Sequence, residues 1–228
     1  MKVEIWSDVV CPWCYVGKRR FEAALDRFAH RDDVDVIWRS FELDPAAPQL
    51  RTDNLTEHLA AKYDVTVADA QAMQDRMTAA AAAEGLTFRF DQARSGNTFD
   101  AHRLLHFAAD HNRQGALKET LLRAYFTDGA AIGDRLTLVR LAAEAGLDRD
   151  EATATLLSAA YADAVRSDER EAVAMGIRAV PFFVVDRTYG VSGAQSPDVV
   201  LEVLQQAWVG RGRTGTAVSA ITMGVAAR

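Results

Sequence analysis

Cysteine is nearly missing from this chain. Of 228 residues only two are cysteine, which excludes a disulfide-stapled scaffold and, with four ligands needed, a thiolate zinc site. Positive charge is in deficit as well. Lys and Arg number 26 against 32 Asp and Glu, a net charge of −6, so a general basic surface for nucleic acid is excluded. No long uncharged apolar run is present, so no helix is expected to span a membrane. The first residues, Met1-Lys2-Val3-Glu4-Ile5-Trp6, lack a basic region, a long apolar stretch and a small-residue cleavage site. The expected compartment is therefore the cytoplasm, where cysteines cycle rather than staple.

What is there is concentrated. Both cysteines lie in Cys11-Pro12-Trp13-Cys14, after a short apolar strand (2–7) and before an amphipathic helix (Pro12 to about His30). Two thiols at this spacing can close a small disulfide. A thiol at a helix N-terminus loses its proton more readily, because the helix dipole stabilises the thiolate. Cys11 is expected to be the exposed nucleophile at the helix start and Cys14, one turn further in, the resolving thiol. Exchange would run through a mixed disulfide on Cys11. Pro12 suits the first turn, where the amide proton it lacks would have no intrahelical partner. Trp13 carries no charge, so the thiolate is expected to be less stabilised than a histidine in that slot would make it. Lys18 and Arg19 lie about two turns away, roughly 10 Å at 1.5 Å per residue, and their direct help is screened.

A second strand is expected at 34–40, giving a β-α-β unit with the dithiol at the strand-to-helix junction. From about Leu55 to Gly176 the pattern is helical. The expected segments are Leu55 to Tyr63, Val67 to Glu84 (stopped by Gly85), Thr98 to His111 (capped by Asn97) and Ala116 to Phe126. Leu136 to Ala145 (stopped by Gly146), Asp148 to Leu157 and Tyr161 to Met175 follow. Strands return at Phe182 to Asp186 and Tyr189 to Ser192, followed by a helix from Pro197 to Trp208 capped by Ser196. The layout is α/β: a thioredoxin fold with a large inserted helical domain. Residues 1–45 and 170–208 form the discontinuous thioredoxin-like domain, 46–169 the helical insertion, and 209–228, rich in Gly, Ala, Ser and Thr, a flexible tail.

Arg178-Ala179-Val180-Pro181-Phe182-Phe183 is the second signature. A proline opening an apolar strand gives up a ladder donor. It marks either an edge strand at a turn or a cis peptide at Val180-Pro181 beside the dithiol, with the Val180 backbone free to pair with an extended substrate or a tripeptide thiol. His102 and His106 are one helical turn apart and could chelate a metal, but solvated or core histidines are the simpler reading, and no metal is expected.

These residues resemble the DsbA-like thioredoxin superfamily, most closely its FrnE-like branch of cytoplasmic dithiol–disulfide isomerases. The resemblance runs from residue 2 to about 208. It is carried by Ser7-Asp8-Val9-Val10-Cys11-Pro12-Trp13-Cys14-Tyr15-Val16-Gly17-Lys18-Arg19-Arg20 and Gly176-Ile177-Arg178-Ala179-Val180-Pro181-Phe182-Phe183. Weaker matches are Phe41-Glu42-Leu43-Asp44-Pro45, Asn97-Thr98-Phe99-Asp100-Ala101-His102-Arg103-Leu104 and Val191-Ser192-Gly193-Ala194-Gln195. It implies a helical lid over the site, a cis proline (Pro181) opposite the dithiol, and Asn97 and His102 lining the substrate groove with Pro12, Trp13 and Val180. An acid at Asp8 is familiar there, as a proton relay or as an organiser of the turn. The implied activity is thiol–disulfide exchange on peptide or protein disulfides, with glutathione or another low-molecular-weight thiol as co-substrate and no tightly bound cofactor. A homodimer stays open as the assembly.

Kappa-class glutathione transferases and 2-hydroxychromene-2-carboxylate isomerases share the layout but carry serine where Cys11 stands. A glutathione-dependent transferase or isomerase of a small aromatic substrate is therefore the alternative, and a non-catalytic binding module is a third reading. The further cysteine pair that some FrnE-like proteins carry is missing, so a two-dithiol relay is not expected.

Overall fold

The computed structural model describes residues 1–211. It opens with strand β1 (Lys2–Ser7), helix α1 (Pro12–Asp26) and strand β2 (Asp35–Ser40). Seven helices follow: α2 (Leu55–Tyr63), α3 (Val67–Ala83), α4 (Phe99–Asp110), α5 (Gln114–Phe126), α6 (Arg135–Glu144), α7 (Arg149–Leu157) and α8 (Ala162–Ala174). Strands β3 (Phe182–Val185) and β4 (Tyr189–Ser192) and helix α9 (Pro197–Gly210) close the described residues.

The four strands form one sheet in the order β2-β1-β3-β4. β1 pairs parallel with β2, Val3 opposite Val36, and antiparallel with β3, Ile5 opposite Phe183. β1 is thus central and covered on both faces. Val3 and Ile5 pack with Phe21, Ala24 and Phe28 of the α1 region and with Val200 and Leu204 of α9. Trp6 points the other way, toward Ala172 of α8 and Ile177. Its indole N–H donates to the Asp168 carbonyl at 3.0 Å. Glu4 shares that second face and is fully buried, a position that requires compensation. Arg39 and Arg187 supply it.

The helical insertion has its own core around Leu104, Leu117, Leu121, Phe126 and Leu138, but Val9, Tyr15 and Val16 join it from the dithiol segment. The start of α1 is therefore wedged between the sheet and the insertion. Arg103 of α4 ties the insertion together, donating to the carbonyls of Ala160 at 2.8 Å and Ser158 at 2.6 Å and to Asp100 at 2.8 Å.

Several boundaries differ from the sequence expectation. α1 ends at Asp26, because the Arg27 and Phe28 amides turn back to the Ala24 and Leu25 carbonyls. Thr98, not Asn97, occupies the cap position of α4. The Asn97 side chain instead accepts from the Phe99 amide at 2.9 Å, forming a turn before the helix. Helix α9 continues to Gly210, so residues 209–210 are helical rather than tail. Arg211 caps the helix, and the remainder of the expected tail, 212–228, lies outside the described residues. Gly85 and Gly146, expected as helix stops, take positive φ of 72° and 89°, the left-handed conformation in which glycine is unstrained.

Candidate active site

The site is built where β1 runs out into α1. Cys11 is the N-cap of α1, with extended backbone, and Pro12 takes the first helical position. The Cys14 amide closes the first turn on the Cys11 carbonyl at 3.0 Å. Both cysteines are free thiols. Cys11 was expected to be exposed; it is 4% accessible and Cys14 1%. The cause is the chain crossing above it. The Cys11 Sγ donates to the Val180 carbonyl at 3.6 Å, so in this state that carbonyl is occupied rather than free for a substrate.

The Val180–Pro181 peptide is cis, and the Pro181 ring packs on α1. A β-carbon on Gly17 would lie 2.8 Å from Pro181 Cγ. Glycine inside a helix costs about 1 kcal/mol relative to alanine. Here it is what lets the proline segment approach the helix that carries the dithiol.

The electrostatics beneath the thiols come from residues on four different segments. Asp8 is fully buried. It accepts from the Val9 amide at 2.7 Å and the Leu43 amide at 2.8 Å, and its Oδ1 lies 3.2 Å from His102 Nε2. Burial pushes its carboxyl up, but the His102 hydrogen bond and charge, the Leu43 amide and the Lys118 charge together hold it below the ordinary carboxylate value. Lys118 of α5 is also fully buried. Its ammonium donates to the Ser7 carbonyl at 3.3 Å and sits 5.5 Å from the Trp38 ring centre. Burial lowers it to about 8, although the neighbouring Cys14, Asp8 and Cys11 favour its charge. The neighbouring Cys14 thiol, burial and the charge of Asp8 push the Cys11 thiol well up, against the pull of the Cys14 amide.

A cavity of about 550 Å³ opens over the dithiol. Of the residues singled out from sequence, Asp8, Cys11, Pro12, Trp13 and Val180 line it. Trp13 is 40% accessible at its edge. Asn97 and His102 do not line it. Asn97 is held in the loop by its bonds to Phe99 and to the Pro45 carbonyl. His102 has no accessible surface and stands behind Asp8 as its partner. His106, one turn on, pairs with a different carboxylate, Asp168, at 3.1 Å. The two histidines thus serve two aspartates rather than one metal. Among the described residues no three His, Cys, Asp or Glu side chains gather as a metal site.

Sequence reasoning missed Lys118 and the cations of the cavity. Lys118 had a legible signal. It shares its helix stripe with Leu121, Leu122 and Tyr125, all buried, and a lysine on an apolar stripe needs a reason to be there.

A family model for the DSBA-like thioredoxin domain matches residues 2–205. The chain belongs to this family. A probable DsbA oxidoreductase from Streptomyces coelicolor is 48% identical and superposes with a TM-score of 0.88, covering 100% of this chain and 99% of that one. The uncharacterised protein YwbO of Bacillus subtilis (strain 168) is 31% identical over 200 residues, 86% of this chain and 92% of the relative. The cytosolic disulfide reductase DsbM of Pseudomonas aeruginosa shares the fold at 18% identity and a TM-score of 0.64, covering 92% of this chain and 99% of that one. A structure of DsbM with GSH also matches. Among the described residues no helix is long and apolar enough to cross a membrane.

Proposed function

We propose that this DsbA-family protein is a thiol–disulfide oxidoreductase. Cys11 attacks one sulfur of a substrate disulfide and expels the other as a thiolate, leaving a mixed disulfide on Cys11. Cys14 then attacks the Cys11 sulfur, releases the second substrate thiolate and closes the Cys11–Cys14 disulfide. Two electrons pass from the dithiol to the substrate. The observation that carries this reading is the position of the dithiol: at the N-terminus of α1, one face against Val180, the other opening to the cavity.

Pro12, Trp13 and Val180 would hold the substrate, and Pro181 would keep the Val180 segment against α1. Asp8, which lines the cavity with Cys11, would relay a proton during exchange. The substrate is a disulfide of a peptide, a protein or a small thiol, and a low-molecular-weight thiol such as glutathione would restore the dithiol. The cytoplasm, which keeps thiols reduced, suits that cycle. The test is insulin-disulfide reduction under a small-thiol reductant. The wild-type chain is expected to accelerate it, and Cys11→Ser to fall to the uncatalysed rate. Equal rates for the two would refute the assignment.

A further inference from the structure

The cavity over the dithiol has a chemical character of its own. Its volume, about 550 Å³, is that of a site for a small molecule. Leu55 and Leu59 of α2, Met73 and Met77 of α3, and Phe90 give it apolar walls. Arg51, Lys62, Arg76 and Arg178 also line it, against only two carboxylates, Asp8 and Asp44. In a chain with a net charge of −6, this is a local reversal of sign.

Neither carboxylate neutralises the set. Asp8 is engaged by His102 and two backbone amides, and Asp44 is held by Arg51 at 2.6 Å. Among the described residues Lys62, Arg76 and Arg178 form no ion pair; Arg51 is the lining cation that does, with Asp44 and Asp53. They come from α2, α3 and the loop before Pro181, so the fold brings three uncommitted cations to one apolar mouth. Cys11, 4% accessible, is reached through that mouth.

We propose that the cavity selects a low-molecular-weight disulfide with an apolar or aromatic body and a carboxylate, which the three cations draw toward Cys11. This rests on the exchange chemistry proposed above. The dithiol supplies the two electrons, the substrate leaves as two thiols, and Cys11 and Cys14 end joined.

The test compares three small disulfides on the pre-reduced protein held in excess, so that no other reductant is required. They are 5,5′-dithiobis(2-nitrobenzoate), with two carboxylates; 2,2′-dithiodipyridine, aromatic and uncharged; and cystamine, a dication. Each rate is divided by that of free cysteine at the same pH. The normalised rate for the dianion is expected to exceed that of the neutral probe by about tenfold, as charge focusing in a cleft provides, with cystamine slowest. The triple variant Lys62→Gln, Arg76→Gln, Arg178→Gln is expected to lose that ratio. No preference over free cysteine, a ratio that survives the triple variant, or faster reduction of insulin than of the dianion would each overturn the proposal. The two readings fail separately. The Cys11→Ser, Cys14→Ser variant has no thiol left to react. Saturable binding of the dianion to it, with no exchange by the wild type, would leave the anion site standing and remove the oxidoreductase; exchange without charge preference would do the reverse.

Discussion

Replacing Lys118 with methionine should change how stability depends on pH. The ammonium is fully buried, with one hydrogen bond to the Ser7 carbonyl. Burial brings it from 10.5 down to about 8, despite Asp8, Cys14 and Cys11 nearby, with Lys18 acting in the same direction as burial. A lysine that is weaker as a base in the folded chain binds its proton more tightly in the unfolded chain. Unfolded molecules therefore hold more protons between pH 8 and 10.5, and stability rises with pH through that window. Below pH 8 both states are charged, and the native protein carries the whole cost. At about 1.4 kcal/mol per pH unit that cost is about 3 kcal/mol. Between pH 7 and 9.5 about 2 kcal/mol of it should be recovered. Methionine keeps the volume and cannot titrate. Urea unfolding of wild type and Lys118→Met, under reductant at pH 7 and pH 9.5, reads the term; groups away from the ammonium cancel in the comparison, and Asp8, Cys14 and Cys11, which feel its charge, belong to what is read. The wild type should gain about 2 kcal/mol on the variant across that range. A difference that stays constant to within about 0.5 kcal/mol would refute the argument and place the ammonium in contact with water.

Three further outcomes are expected. Gly17→Ala puts a β-carbon 2.8 Å from Pro181 Cγ, so thermal or urea unfolding should show a loss of about 1–3 kcal/mol, with slower disulfide exchange. Arg103→Met strips partners from the Ala160 and Ser158 carbonyls, while Asp100 keeps Arg135 at 2.7 Å; urea unfolding should show a loss of about 1–3 kcal/mol, the cost of leaving buried polar groups unpaired. Asp8→Asn removes a negative charge that pushes Cys11 up, so the pH midpoint of Cys11 alkylation by iodoacetamide should move down, while the lost Leu43 or His102 bond costs about 1–3 kcal/mol in a urea titration.

The architecture was legible because its signals are local. Pro12 and Gly85 punctuate helices, the short runs around Ile5 and Phe183 have strand length, and the dithiol stands where the period changes from two to 3.6. The family assignment follows from the same segments. What was not legible depends on residues far apart in the chain. Cys11 is buried because Val180, 169 residues away, crosses over it. His102 was expected at the substrate groove, yet its side chain pairs with Asp8, 94 residues earlier. Asn97 was displaced by one residue from its cap because a turn to Phe99 and a helix cap leave nearly the same trace in sequence. Lys62, Arg76 and Arg178 read singly as solvated charges, and only the packing of α2 and α3 over the dithiol gathers them.

The most direct test of the central claim is to trap the intermediate. Cys14→Ser, reduced and mixed with a small disulfide, should accumulate one mixed disulfide that peptide mass mapping places on Cys11, whereas Cys11→Ser should form none at a comparable rate. An adduct that forms no faster than on free cysteine, or one that forms on Cys14 in preference to Cys11, would contradict the assignment of Cys11 as the nucleophile.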